Sequence, residues 1–220
     1  MRRTLKYLSL ILILAGASYL LGWSSLLTVK SVEVIGAPNQ KSISQVITFS
    51  GIAPGQKLAR VEPRVIQTQV MNAKWIESAS VSRNWLNGKV SIAVKAREAI
   101  FAFNGRYLDG SGTIFDLPDG VSAGSIGRID APTLELAQVG ELVYQGLPIE
   151  MKNQLIGISI TSRSRIDLTI KNGSQRVLVH WGDKSQTSLK VQVFQRLIAL
   201  KENKKITVMD LISPTAPIVK

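Results

Sequence analysis

The chain contains no cysteine and a single histidine among its 220 residues. A disulfide framework, a thiolate metal site and a thiol nucleophile are therefore excluded together. His180 stands in an alternating strand pattern beside Trp181, with no metal-ligand spacing around it and no sequence neighbour to serve as its partner in acid–base work. Aromatics are scarce at 6%, and the Lys and Arg residues behind the net charge of +12 are scattered. They form no basic cluster interleaved with aromatics, which argues against nucleic acid as a partner. No phosphate-binding Gly-rich loop, dinucleotide fingerprint or Gly-x-Ser-x-Gly elbow occurs. Asp109, Asp116, Asp119 and Asp130 lie in turn contexts, and Asp109-Gly-Ser-Gly lacks the ligand spacing of a calcium loop. No catalytic residue, metal ligand, cofactor site or small-molecule substrate is expected.

What the sequence does have is one long uncharged apolar run, Tyr7 to Val29. At about 1.5 Å rise per residue it is long enough as a helix to cross a hydrocarbon layer about 30 Å thick. Arg2, Arg3 and Lys6 precede it, so a tail over residues 1–6 is expected in the cytoplasm and the bulk of the chain outside. Trp23 falls near the outer end, where an indole favours the interface. Ala15-Gly16-Ala17 also fits a small-x-small cleavage site, but the apolar run continues well past it, so a retained single-pass anchor over 7–29 is expected.

A first folded unit is expected over 30–97. Val29–Ile35 alternates as a strand closed by Gly36, and Ser42-x-x-Gln45 reads as a capping box for a helix carrying Ile43, Val46 and Ile47. Gly51 stands where a C-terminal cap is needed. Pro63 opens a second helix, with Val61 and Ile66 placed as a hydrophobic staple. Ala79, Val81 and Arg83 share one face of a strand, Asn87-Gly88 signals a two-residue type I′ turn, and Val90, Ile92 and Val94 return. The order is β-α-α-β-β, with Trp75 and Trp85 expected over the core.

The remainder, 98–220, reads as β-rich with two helices, making the whole α+β. Two-residue turns are expected at Asn104-Gly105 and around Asn172-Gly173, and an exposed loop over 117–128. One helix is expected from Pro148 to about Ile156. The other runs from Thr187 or Ser188 to Glu202 on a stripe of Leu189, Val193, Leu197 and Leu200. A last strand is expected over Ile206–Ile212, with Pro214 and Pro217 ending sheet growth.

The segments VKSVEVIG, GIAPGQKLARVEP and KWIESASVSRNWLNGKVSIAVKAREA resemble a POTRA domain, specifically that of the FtsQ/DivIB family of bacterial cell-division proteins. LDGSGTIF, HWGDKSQTSLKVQVFQRLIAL and ITVMDLISPTAPIVK resemble parts of that family's second domain. After the hairpin the family usually carries Glu-Arg and a following Pro. Here Ala96-Arg97 and Ala99 stand instead. The resemblance implies a non-enzymatic divisome scaffold, linking early and late septal proteins and held in the cytoplasmic membrane at the division septum. It further implies that Ile206, Thr207, Val208, Met209, Asp210, Leu211 and Ile212, with the tail beyond, receive membrane proteins of FtsB/FtsL or DivIC-like type by strand addition. A POTRA-type chaperone or secretion-assembly module is the alternative, though such proteins generally carry several POTRA units and a barrel.

Overall fold

The computed structural model describes residues 2–22 and 27–220. Residues up to Arg97, with Pro118–Val121, form one compact unit; Glu98–Leu117 and Ser122–Lys220 form the other.

The first unit begins with helix α1 (Arg2–Gly22), on which Tyr7, Leu8, Leu10–Leu14 and Tyr19 are all exposed. The expected span 7–29 lies partly outside the described residues, at 23–26. Among the described residues no helix is long and apolar enough to cross a membrane. The outer boundary of the run also moves. Val29 is 1% exposed in the globular core, its N–H donating to Gln56 O (2.8 Å) and its C=O accepting from Gly55 N (2.7 Å). Thr28 bridges Lys57. Residues 27–29 thus belong to the domain, because a β-bridge satisfies their backbone.

Next come β1 (Ser31–Ile35), α2 (Gln40–Ser50), a 3₁₀ turn (Leu58–Arg60), α3 (Pro63–Val70), β2 (Ile76–Asn84) and β3 (Lys89–Ala96). The sheet order is β1-β3-β2, with β1 parallel to β3 and β2 antiparallel to it. Val46, Ile66 and Val70 of the helices are buried, as are Val90, Ile92 and Val94 of β3. The cap of α2 is Asn39, not Ser42: its Oδ1 accepts from Ser42 N, and Gln45 instead accepts from Trp75 Nε1 at 2.8 Å. An Asx side chain three residues before the expected site thus accepts from an orphan amide of the first turn, and the helix starts earlier than expected. Gly51 caps the helix end with φ +62°.

The β2–β3 connection is also not the expected two-residue turn. Asn84 pairs with Lys89, leaving a four-residue loop in which only Gly88 has positive φ. Asn84 Oδ1 accepts from Leu86 N and Asn87 N, which supplies a local alternative to the type I′ geometry. Trp75 is buried, while Trp85 sits on this loop at 38% exposure rather than over the core.

The second unit is a nine-stranded sheet in the order β12-β11-β10-β9-β8-β7-β4-β5-β6. Its strands are β4 (Phe101–Phe103), β5 (Arg106–Leu108), β6 (Ile114–Phe115), β7 (Gly127–Asp130), β8 (Leu155–Ser162), β9 (Arg165–Asn172), β10 (Gln175–Gly182), β11 (Val208–Asp210) and β12 (Ile218–Val219). Asn104 and Gly105 both have positive φ between β4 and β5, as a type I′ turn requires. One sheet face carries Ile158, Ile160, Ile166, Leu168, Ile170, Val177, Val179, Trp181 and Met209, all buried.

Three helices accompany this sheet, not the two expected: α4 (Leu134–Gln145), α5 (Ile149–Gln154) and α6 (Thr187–Ala199). α4 is capped by Thr133. Its Gly140 lies so close to the sheet that a Cβ there would meet Ile160 Cδ1 at 2.5 Å. α5 ends at Gln154, since Leu155, Ile156 and Gly157 enter β8. α6 is followed by a 3₁₀ turn (Lys201–Lys205), and its buried face is rotated from the expected stripe. Leu189 and Leu200 are exposed, while Lys190 and Phe194 are buried.

Candidate docking edge

The residues expected to meet a partner, Ile206 to Ile212, form a strand only over Val208–Asp210. Ile206, Met209 and Leu211 are buried in the core, and Ile212 is exposed. On one side β11 runs parallel to β10: Leu178 N donates to Thr207 O (2.8 Å) and Leu211 N to His180 O (2.9 Å). On its other side lies β12, antiparallel, with Met209 opposite Val219 and Asp210 opposite Ile218. The expectation that prolines end the sheet at Ile212 is therefore corrected. Ser213 to Ala216 make a turn closed by Ala216 N to Ser213 O (3.0 Å), and Pro217 leads into one more strand. A proline is excluded from a central ladder but fits the start of an edge strand.

Sheet growth thus stops one strand later, at β12. Val208 and Lys220 exchange both backbone hydrogen bonds, at 3.1 and 2.9 Å. In an antiparallel ladder such a pair alternates with a non-bonded one. Met209 and Val219 are that next pair, so the N–H and C=O of Val219 point away from the sheet. The tail strand, rather than Val208–Asp210, is what the molecule offers at this edge. The sequence signal was the pair Ile218-Val219 after the Ser-Pro-Thr-Ala turn, too short to read as a strand by alternation.

Beside this edge the open face of the sheet carries one polar row. Asp167, His180, Asp210 and Ile218 lie opposite one another across β9, β10, β11 and β12. His180 Nδ1 lies 2.7 Å from Asp167 Oδ1, within hydrogen-bond distance. Sequence neighbours gave no hint of this partner, because strand register supplies it. Leu178 and Val208 form the adjacent apolar pair.

The opposite end of the sheet is closed to pairing in a different way. Arg106 of β5 clamps Asp116 beyond β6 with two hydrogen bonds of 2.9 Å each, placing charge on a two-residue edge. Charged, short edges resist strand addition.

Nothing in the described residues assembles a reaction centre. An open cleft of about 720 Å³ is lined by Val139, Arg163, Ser164, Asp183, Lys184 and Ser185. Ser185 Oγ donates to Asp183 Oδ1 (2.6 Å), which makes a turn rather than an activated nucleophile. The bonds from Ser185, then that from Lys190, hold the Asp183 carboxyl below its usual range. Among the described residues no group of three or more His, Asp or Glu is placed to hold a metal ion.

Residues 27–97 match the family model of the POTRA domain, FtsQ-type. Residues 99–211 match that of the cell division protein FtsQ/DivIB, C-terminal. No curated protein matches the chain. The second match stops just short of Ile212, so the tail strand lies beyond it.

Proposed function

The chain belongs to the FtsQ/DivIB family of cell-division proteins, and on that premise we propose that it is a membrane-anchored scaffold that recruits divisome partners by strand addition at β12. The family is non-enzymatic, and its work is binding. The observation that carries the reading is the outward-facing backbone of Val219 on an edge strand that bears no charged clamp. An added partner strand pairs with that edge through main-chain hydrogen bonds, and side chains flanking it supply selectivity. Ile218, Asp210 and His180 on the open face, and Ile212 beside the turn, are the flanking groups.

The partners are membrane proteins of FtsB/FtsL or DivIC-like type, as family membership implies. The anchor is the apolar run preceding the domain, of which Leu8 and Leu10–Leu14 are exposed along α1. Since 27–29 are held by the globular unit, the run left to the membrane is 7–26. That still reaches about 30 Å as a helix. Arg2, Arg3 and Lys6 keep its start in the cytoplasm, and the two units then stand outside, at the septum.

Val208 is no clean probe of this edge, because its own amide is spent on Lys220. Val219 is the clean one. Val219→Pro removes an outward donor, whereas Val219→Ala removes the side chain and keeps that donor. Binding of the FtsB-type partner to the full-length chain in nanodiscs is expected to fall at least tenfold for the proline variant, the loss of about 1.4 kcal/mol, and to change little for the alanine one. Equal binding by both variants and the parent rules out strand addition here.

A further inference from the structure

Parallel pairing of β1 with β3 puts Ser31 opposite Lys89, so the chain enters the first unit at the same sheet end as the β2–β3 loop. From residue 27 onward the entering chain is bonded to that end. Leu58 N donates to Leu27 O (3.0 Å), Val29 N to Gln56 O (2.8 Å) and Lys30 N to Gly88 O (2.8 Å). Gly88 has φ +74°, and a Cβ on it would lie 2.6 Å from Thr28 O, so loop and entering strand are in backbone contact. Leu86 is two residues away, within about 7 Å of chain.

The loop itself is built rather than loose. Asn84 Oδ1 ties down two of its amides, and Arg83 stacks over the Trp85 ring at 5.0 Å. The same Arg83 donates to Leu58 O (3.0 Å) and Val61 O (2.7 Å), fastening the loop to the 3₁₀ turn. Yet Leu86 is 97% exposed and Trp85 38% exposed at its tip. The tied-down loop thus presents a bare leucine beside a half-exposed tryptophan, an apolar tip at the end where the chain enters. Charged groups around this end are Lys30, Lys57, Arg83 and Lys89, with Glu33 the counter-charge, bound to Lys89 at 2.6 Å. The balance is positive, and a positive rim suits anionic head groups.

We propose that the Trp85-Leu86 tip is a second membrane contact, dipping into the head-group layer of the leaflet from which the anchor emerges. This rests on the anchored reading above. If the uncharged run spans the bilayer as far as residue 26, the bonded residues of the domain begin at the next position in sequence, which brings this sheet end to the lipid surface. Trp85 then takes the interfacial place that indoles favour, Leu86 enters the acyl boundary, and the domain is fixed in orientation instead of swinging on one helix.

The absence of cysteine makes the test direct. Full-length Leu86→Cys, labelled with an environment-sensitive fluorophore, is reconstituted in vesicles of phosphatidylcholine and phosphatidylglycerol containing a shallow spin-labelled lipid. Asn72→Cys, exposed and near the opposite end of β2, serves as the reference site. Carbonate-resistant flotation with the vesicles is scored in the same samples. The expected result is flotation, with the Leu86 label blue-shifted and losing most of its emission to the quencher while the Asn72 label is unaffected. Flotation without preferential quenching at Leu86 overturns the tip contact and leaves the anchor standing. A blue shift that needs no lipid quencher contact assigns the tip to a protein neighbour and also overturns it. Failure to float overturns the anchor and the tip together.

Discussion

Lys190 sits where a leucine would be expected. It is 1% exposed, its ammonium lies 5.7 Å from the Trp181 ring centroid, and that ammonium donates to Asp183 O (2.9 Å) and Oδ1 (3.2 Å). Lys190→Met keeps the stem and costs about 1 kcal/mol for the orphaned carbonyl. Lys190→Ala adds a cavity, raising the loss to about 2–4 kcal/mol; denaturant midpoints of the two variants check the order. Glu141 is the second such residue, at 2% exposure. Burial raises its carboxyl above the usual range, the amide of Gln145 opposes this, the Asp109 charge adds to it and Lys152 opposes. A carboxyl with a higher pKa folded than unfolded contributes stability that is complete below the unfolded value, about 4.3, and lost as pH rises through the folded value. Glu141→Gln abolishes that loss. The variant is expected to melt above the parent at about pH 8 and to lose this advantage towards about pH 4, followed by thermal unfolding across that range.

At the scale of elements, α4 shows how packing overrides propensity. Gly140→Ala gains about 1 kcal/mol of helix propensity. It also forces a methyl to 2.5 Å from Ile160 Cδ1 and 3.4 Å from Ile158 Cγ2, both on buried side chains. Overpacking of that kind costs about 1–3 kcal/mol, so the variant is expected to be less stable, not more, in chemical denaturation. The same glycine hid α4 from the sequence, since it interrupts a helical pattern whose buried positions also include Glu141. Other elements were legible for clear reasons. The β-α-α-β-β order followed from Pro63, Gly51 and the alternation of Val90, Ile92 and Val94, which are local signals. α6 was found but turned, because Lys190 outranks Leu189 for the core once Asp183 accepts its charge. The two-residue turn expected at Asn87-Gly88 does not form, because Asn84 caps a longer loop from outside it. Long-range facts were not legible at all. The pairing of His180 with Asp167, and the cover of β11 by β12, depend on register across the sheet.

At the scale of the molecule, the two sheet ends of the second unit have opposite character. Arg106 and Asp116 close the β6 end with charge, and the tail strand leaves the backbone of Val219 open at the other. The family's role in cell division and its lack of an enzymatic site are consistent with a protein whose working surface is main-chain. Amide exchange at Val219 in the full-length chain, with and without saturating FtsB-type partner, measures that surface most directly. Lys220 N–H, bonded to Val208 O, reports the internal pairing in both states. The account predicts that Val219 exchanges freely alone and becomes protected on binding, with Lys220 protected throughout. A bound partner that leaves Val219 exchange unchanged contradicts it.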